Sequence, residues 1–305
     1  MFSNPSTRKS LGLLMVTAFS AFSTAAKDFH VYYLGGQSNM DGYGYVNELP
    51  EALQAPDTEA WIFHGNTGPD NAPVDGRGLW APLQPGHGVG FRSDGAENAY
   101  SNRFGVELTF AAAIQEAFPD RHIALVKYSR GGTSIAQDAA GGFGCWEPDF
   151  KGRNGVNQYD HFLATLRHAL SVADIDGDGE ADRLIPAGIL WMQGESDAHY
   201  TVEIAERYQS NLRRLMDLLR AALRSDDLPV AIGRISYSTR EPLSWKHGEI
   251  VREAQANYVD ADVAAALVTS TDDYGYSDPW HYDSSGYIDL GKRFAEALIG
   301  LESPE

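Results

Sequence analysis

Three side chains of this 305-residue sequence, Ser38, Asp278 and His281, have the types and spacing to carry out acyl transfer. A serine hydroxyl is a weak nucleophile at neutral pH and needs a base to take its proton as it attacks a carbonyl. An ordinary histidine, with a pKa of roughly 6.5, is mostly neutral at pH 7 and can accept that proton. Asp278 stands three residues before His281 in Asp278-Pro279-Trp280-His281. From there its carboxylate can accept from imidazole Nδ1–H, fix the tautomer and stabilise the imidazolium that forms. A D-x-x-H pair by itself is more often structural, and Asp272, Asp273 and Asp283 are other carboxylates that could serve His281.

Attack on a carbonyl also needs donors aimed at the oxygen where negative charge develops. Ser129-Arg130-Gly131-Gly132-Thr133 offers a glycine pair through which a main-chain N–H can approach a ligand closely. Trp191-Met192-Gln193-Gly194-Glu195-Ser196-Asp197 offers the Gln193 amide. Alone, the first is a plain turn and the second a buried structural amide. The order of the four segments along the chain makes the joint reading stronger.

Each of the first three segments directly follows an apolar, β-rich run. The expected strands are 31–34, 123–128, 185–192, 230–235 and 264–268. The expected helices are 104–118, 159–172, 201–223, 245–258 and about 285–299. Tyr208, Leu212, Leu215 and Leu219 recur at three- and four-residue steps, as one apolar helix face requires. Strands alternating with helices imply a parallel sheet of about five strands covered on both faces, in one doubly wound α/β domain over residues 27–305. In such folds the ligand crevice lies beyond the carboxyl ends of the strands, where Ser38 falls. Residues of about 47–102, rich in Gly, Pro, Asn and Asp, fit no clean period and read as an irregular insertion that either walls the site or lies idle on the surface.

The blocks GQSNM at Ser38, GGT at 131–133, WMQGESD at 191–197 and DPWH at 278–281 resemble those of the SGNH hydrolase superfamily. Within it they are most similar to the sialate O-acetylesterase group and carbohydrate esterase family six, in block order over nearly the whole chain after the leader. The resemblance implies a flavodoxin-like three-layer sandwich and removal of acetyl groups from carbohydrates. It implies Ser38 as nucleophile, His281 as base and Asp278 as its partner. The main-chain N–H groups of Ser38 and Gly132, with the Gln193 side chain, would form the oxyanion hole. Many superfamily members carry Asn at that third position, and Gln193 matches the acetylesterase branch. Glu195, within the same block, would support the site from behind rather than transfer a proton.

Arg8 and Lys9 precede the apolar run 11–22, and small residues at 23–26 follow, an order that reads as a secretory signal peptide over residues 1–26. The run is short of the ~20 residues a membrane span needs. Export to the periplasm or the medium is therefore expected. A net charge of −18 favours solubility and disfavours nucleic acid and anionic membranes as partners. Cys145 is the sole cysteine, so no intrachain disulfide can form. The histidines show no H-E-x-x-H-type spacing, and a catalytic metal is not expected.

A separate signal is Asp174-Ile175-Asp176-Gly177-Asp178-Gly179-Glu180-Ala181-Asp182. Asp174, Asp176, Asp178 and Asp182 fall at positions one, three, five and nine of an EF-hand-like loop, with glycine at six. Ile185 replaces the closing glutamate, so the expectation is a structural calcium site set against a solvated acidic turn. Trp146, Trp191, Trp280 and Tyr282 could stack on sugar rings; Trp146, beside a glycine-rich stretch, is the better loop residue for this, and Trp191 reads as core. Arg130 could bind a substrate carboxylate, or be a plain surface arginine. The function expected is an exported carbohydrate O-acetylesterase. Its alternatives are an esterase or lipase on simple or longer acyl chains, and a non-catalytic carbohydrate-binding protein of the same fold. Acetylated xylan, sialic acid, another glycan or a small acetyl ester all suit the first reading.

Overall fold

The five apolar runs form five adjacent strands, and two more join them from the segment expected to be irregular. The computed structural model describes Met1 and residues 26–152, 154–237 and 245–302. The expected leader therefore lies, but for its end residues, outside the described residues. The strands of the central sheet are β1 (Asp28–Gly36), β2 (Asp57–His64), β3 (Trp80–Leu83), β4 (His122–Ser129), β5 (Arg183–Met192), β6 (Val230–Gly233) and β7 (Ala265–Val268). Their spatial order is β7-β6-β5-β1-β4-β2-β3. All pairings are parallel except β2 with β3. The expected core is thus β4-β1-β5-β6-β7, and β2-β3 adds two paired strands to the segment expected to be irregular. β2 was missed because its apolar part, Ala60 to Phe63, is short and its flanks are polar.

The long helices are α1 (Glu107–Ala117), α2 (Gln158–Leu170), α3 (Tyr208–Leu223), α4 (Gly248–Asp260) and α5 (Ser284–Glu302). The helix expected over 201–223 is split at Arg207, with a short turn of helix at Val202–Glu206 before α3. Successive strand residues point to opposite faces. Tyr32 packs edge-on to Phe110 of α1, whereas Tyr33 packs on Phe162 of α2, so helices cover both faces of the sheet. Both tyrosines are fully buried, and the Tyr33 hydroxyl donates to the Tyr128 carbonyl at 3.2 Å, as a buried phenol requires. Tyr208, Leu212, Leu215 and Leu219 are likewise buried, as their spacing requires. The result is a three-layer α/β sandwich, as expected.

β1 has β4 on one side and β5 on the other, so the chain order reverses there. This is the switch point at which open α/β sheets bind ligands. The register brings Gly36 opposite both Ser129 and Met192. Ser38, Arg130 and Gln193 consequently leave the sheet side by side at the same edge.

Candidate active site

Gly36 ends β1 at φ +145°, and a Cβ there would lie 2.0 Å from the Met192 carbonyl oxygen, so only glycine permits this approach to β5. The chain then folds into one helical turn, Ser38–Asp41, pinned by Gln37 N–H donating to the Met192 carbonyl at 2.9 Å. Among the described residues no acceptor takes up the Ser38 main-chain N–H or that of Gly132. A methyl group on Gly131 would stand 3.3 Å from Ser38 Cβ, which places the glycine pair directly against the serine. Gly132 has φ +74°, where other residues are strained, and the Phe143 ring lies over it.

His281 and Asp278 occupy the loop before α5. Nδ1 of His281 lies 2.7 Å from Asp278 Oδ2, and Asp278 Oδ1 accepts the main-chain N–H groups of Trp280 and His281 at 2.8 and 2.9 Å. The carboxylate thus orients both the ring and the loop that bears it. Burial works to raise its pKa, but these donors outweigh burial and hold it below the usual carboxylate range. One face of the imidazole is stacked on Tyr43, with centroids 3.5 Å apart and rings 5° from parallel. Asp272 is engaged instead by Arg234 and Arg252, and Asp283 caps α5 through the Gly286 N–H.

Asn39 joins the two halves. Its amide donates to Glu195 Oε1 at 2.8 Å and to the Trp280 carbonyl at 3.2 Å, and its own oxygen accepts from the Tyr287 hydroxyl at 2.8 Å. Glu195 is buried, which raises its pKa against the effect of the Asn39 bond. On the other flank Asp41 accepts from the Ser129 hydroxyl. Its pKa is raised by burial, opposed by the Ser129 bond and the charge of Lys127. Buried Lys127 donates to the Asp41 and His87 carbonyls at 2.9 and 2.8 Å and pairs with Glu107 at 2.8 Å. The serine turn is therefore tied to the glycine loop, the insertion and α1.

Gln193 and Trp146 are placed differently from the expectation. The Gln193 amide is buried and faces Asp197 Oδ2 at 2.8 Å, the Thr133 carbonyl at 3.1 Å and Gln37 Oε1 at 3.2 Å. Its two N–H groups have protein acceptors, so this geometry makes it a brace for the glycine loop rather than an oxyanion donor. Trp146 is not a loop platform: it is fully buried, edge-on to Trp191, with its N–H on Thr133 Oγ1 at 3.0 Å. An indole is apolar enough to be drawn inward whenever one hydrogen-bond partner is available. Trp191 and Tyr282 are buried too, and Trp280 is about half exposed beside His281. Arg130 pairs with Asp70 of the insertion at 2.6 Å.

The acidic loop lies at the opposite end of the sheet, just before β5. Carboxylate oxygens of Asp174, Asp176 and Asp182 come within 4.8 Å of one another. Asp178 is outside that group and pairs with Lys27, which also reaches Asp176.

Sequence reading missed Asn39, Asp41, Tyr43, Lys127 and Phe143 as parts of the site. Asn39 and Asp41 stand inside or beside GQSNM and could have been weighed. Tyr43, Lys127 and Phe143 have no local signal, because their partners are distant in the chain.

A model of the family described as carbohydrate esterase, sialic acid-specific acetylesterase, matches residues 28–300. No curated protein matches the chain. Among solved structures, a protein of Arabidopsis thaliana is 22% identical, with 90% of this chain and 98% of that one covered and a TM-score of 0.61. A carbohydrate acetylesterase from Xanthomonas citri is 18% identical at TM-score 0.59; the match covers 89% of this chain but only 56% of that one. NanS is 17% identical at TM-score 0.59, with 91% and 98% covered. These similarities carry the fold, and the family match carries the membership: the chain belongs to the carbohydrate esterase family of sialic acid-specific acetylesterases.

Proposed function

We propose that this protein is an exported carbohydrate O-acetylesterase that works through an acetyl-Ser38 intermediate. The observation that carries the reading is the Asp278–His281 pair at 2.7 Å, in a loop bonded to the residue next to Ser38. Ser38 Oγ attacks the acetyl carbonyl while His281 Nε2 takes its proton, and Asp278 stabilises the imidazolium. The oxyanion is held by the Ser38 and Gly132 main-chain N–H groups. Collapse breaks the ester bond, and His281 returns the proton to the departing sugar oxygen. A water deprotonated by the same imidazole then attacks acetyl-Ser38, and acetate leaves as the serine is restored. No cofactor has a part in these steps.

Glu195 supports the site through Asn39 and transfers no proton. Export rests on the leader composition, and mass spectrometry of the secreted protein's amino terminus tests it. The calcium expected at the acidic loop belongs to the reading as a structural ion, with Asp174, Asp176 and Asp182 as ligands.

The test is release of acetate from a chromogenic ester and from a panel of acetylated glycans, with Ser38→Ala as control. Loss of turnover by roughly 10³-fold or more with unchanged melting supports the nucleophile. Near-wild-type turnover in the variant removes it. Comparable rates on octanoate and acetate esters would favour the general esterase alternative, and glycan binding without any ester turnover the non-catalytic one.

A further inference from the structure

We propose that the cleft framed by the insertion and Arg130 is a subsite for an uncharged sugar unit of the substrate, beyond the unit that bears the ester; this rests on the esterase reading above. The cleft has a volume of about 650 Å³ and is lined by Asn66, Asp70, Arg92, Asp94, Glu97 and Arg130 among others. That is far more room than an acetyl group needs, and within the size range of small-molecule sites.

Its connection to the chemistry runs through one short segment. Arg130 N–H donates to the Gly36 carbonyl at 3.1 Å, and the next residue, Gly131, lies against Ser38. The Arg130 guanidinium lies 5.6 Å from the centre of the Phe143 ring, the same ring that covers Gly132. Phe143 is substantially exposed although its main-chain carbonyl is held by Gln158 at 2.6 Å. An exposed, anchored aromatic between the expected oxyanion donor and the cleft gives a sugar ring a face to pack on.

The charges in the cleft select against an anionic occupant. Arg130 is matched by Asp70. Asp94 is taken up by the main-chain N–H groups of Ala96 and Glu97, both at 2.8 Å. Arg92 and Glu97 are exposed and, among the described residues, their side chains have no ion-pair partner. Acidic groups outnumber the guanidiniums, so a polyanion gains nothing here. A guanidinium fork and a free carboxylate facing one cleft suit vicinal hydroxyls, which donate and accept at once.

The experiment is calorimetric titration of the Ser38→Ala protein with a panel of neutral tetrasaccharides, repeated with Arg92→Ala and Glu97→Ala added singly. Both residues are exposed, so neither change threatens the core. The expected result is binding of at least one tetrasaccharide that weakens about 10-fold with each change, the loss of one charged hydrogen bond. On the matching acetylated tetrasaccharide, the ratio of kcat/KM to that on a chromogenic acetate should fall by a similar factor in the Ser38-containing variants. Absence of binding across the panel, equal binding by the variants, or preference for a carboxylate-bearing glycan that Arg92→Ala abolishes would overturn the subsite. Binding that responds as expected in a protein without any esterase turnover would sink the esterase reading and leave the subsite standing.

Discussion

Asn39 donates its side-chain amide to the main-chain oxygen of Trp280 across 3.2 Å, so the residue after the expected nucleophile is bonded to the residue before the expected base. The same amide holds buried Glu195 at 2.8 Å. Two loops from opposite ends of the chain are thereby fixed relative to each other by one side chain. Asn39→Ala should lower kcat by roughly 10²-fold, since small misplacement of reacting groups has that cost. It should also lower stability by about 1–3 kcal/mol by leaving Glu195 and Tyr287 short of a partner. Kinetics on a chromogenic acetate and denaturant unfolding together check this, and unchanged kcat in a folded variant would deny Asn39 its positioning role.

Asp278 accepts from the imidazole and from two main-chain N–H groups at once. Asn in its place keeps the shape but offers an amide to the wrong nitrogen, favouring the unproductive tautomer. Asp278→Asn should cost roughly 10³–10⁴-fold in kcat. Steady-state kinetics at pH 7 to 9 decide it; a loss below tenfold would point to another carboxylate as the partner of His281.

Asp197 lies beneath the glycine loop and accepts from the Ile135 and Ala136 N–H groups at 2.9 Å each and from Gln193 at 2.8 Å. Burial, opposed by these bonds, raises its pKa from 3.8 to about 6. An acid with a raised folded pKa binds its proton more tightly when folded, so its contribution to stability falls as pH rises from about 4 through 6. Asp197→Asn should destabilise the protein, because an amide cannot accept at both positions. The stability gap between wild type and variant should narrow between pH 4.5 and pH 7. Urea unfolding at the two pH values tests the sign, and a gap that widens would contradict it.

Calcium at the acidic loop would gather Asp174, Asp176 and Asp182, whose oxygens already lie close together. Since Lys27 already pairs with Asp176 and Asp178, binding should be modest and should raise the melting temperature rather than activity. Calorimetric titration and melting curves with calcium and with chelator check it. No heat and no shift would leave the loop as an ion-paired acidic turn.

The placement of the four motif blocks followed from the sequence alone. Apolar runs of strand length alternate with helical periods, and each of the first three blocks directly follows such a run. The parallel register then puts Gly36, Ser129 and Met192 at one level of the sheet. The Asp278–His281 bond is a contact within one turn of chain, but the D-x-x-H spacing left Asp272, Asp273 and Asp283 open, and only the resemblance of the DPWH block singled out Asp278. The extra strands β2 and β3 were not legible, since their apolar parts are short and strand pairing supplies the order that composition lacks. Nor could spacing say where amides and rings point. Gln193 and Trp146 stand where their motifs suggested a ligand, yet both turn inward, because Asp197, Thr133 and Gln37 arrive from distant segments to satisfy them. Residue types and local spacing determined which chemistry the chain can attempt. Only packing between remote segments decided which polar groups are spent on the scaffold and which are left for a substrate, because a buried donor must take whichever acceptor the fold brings near it.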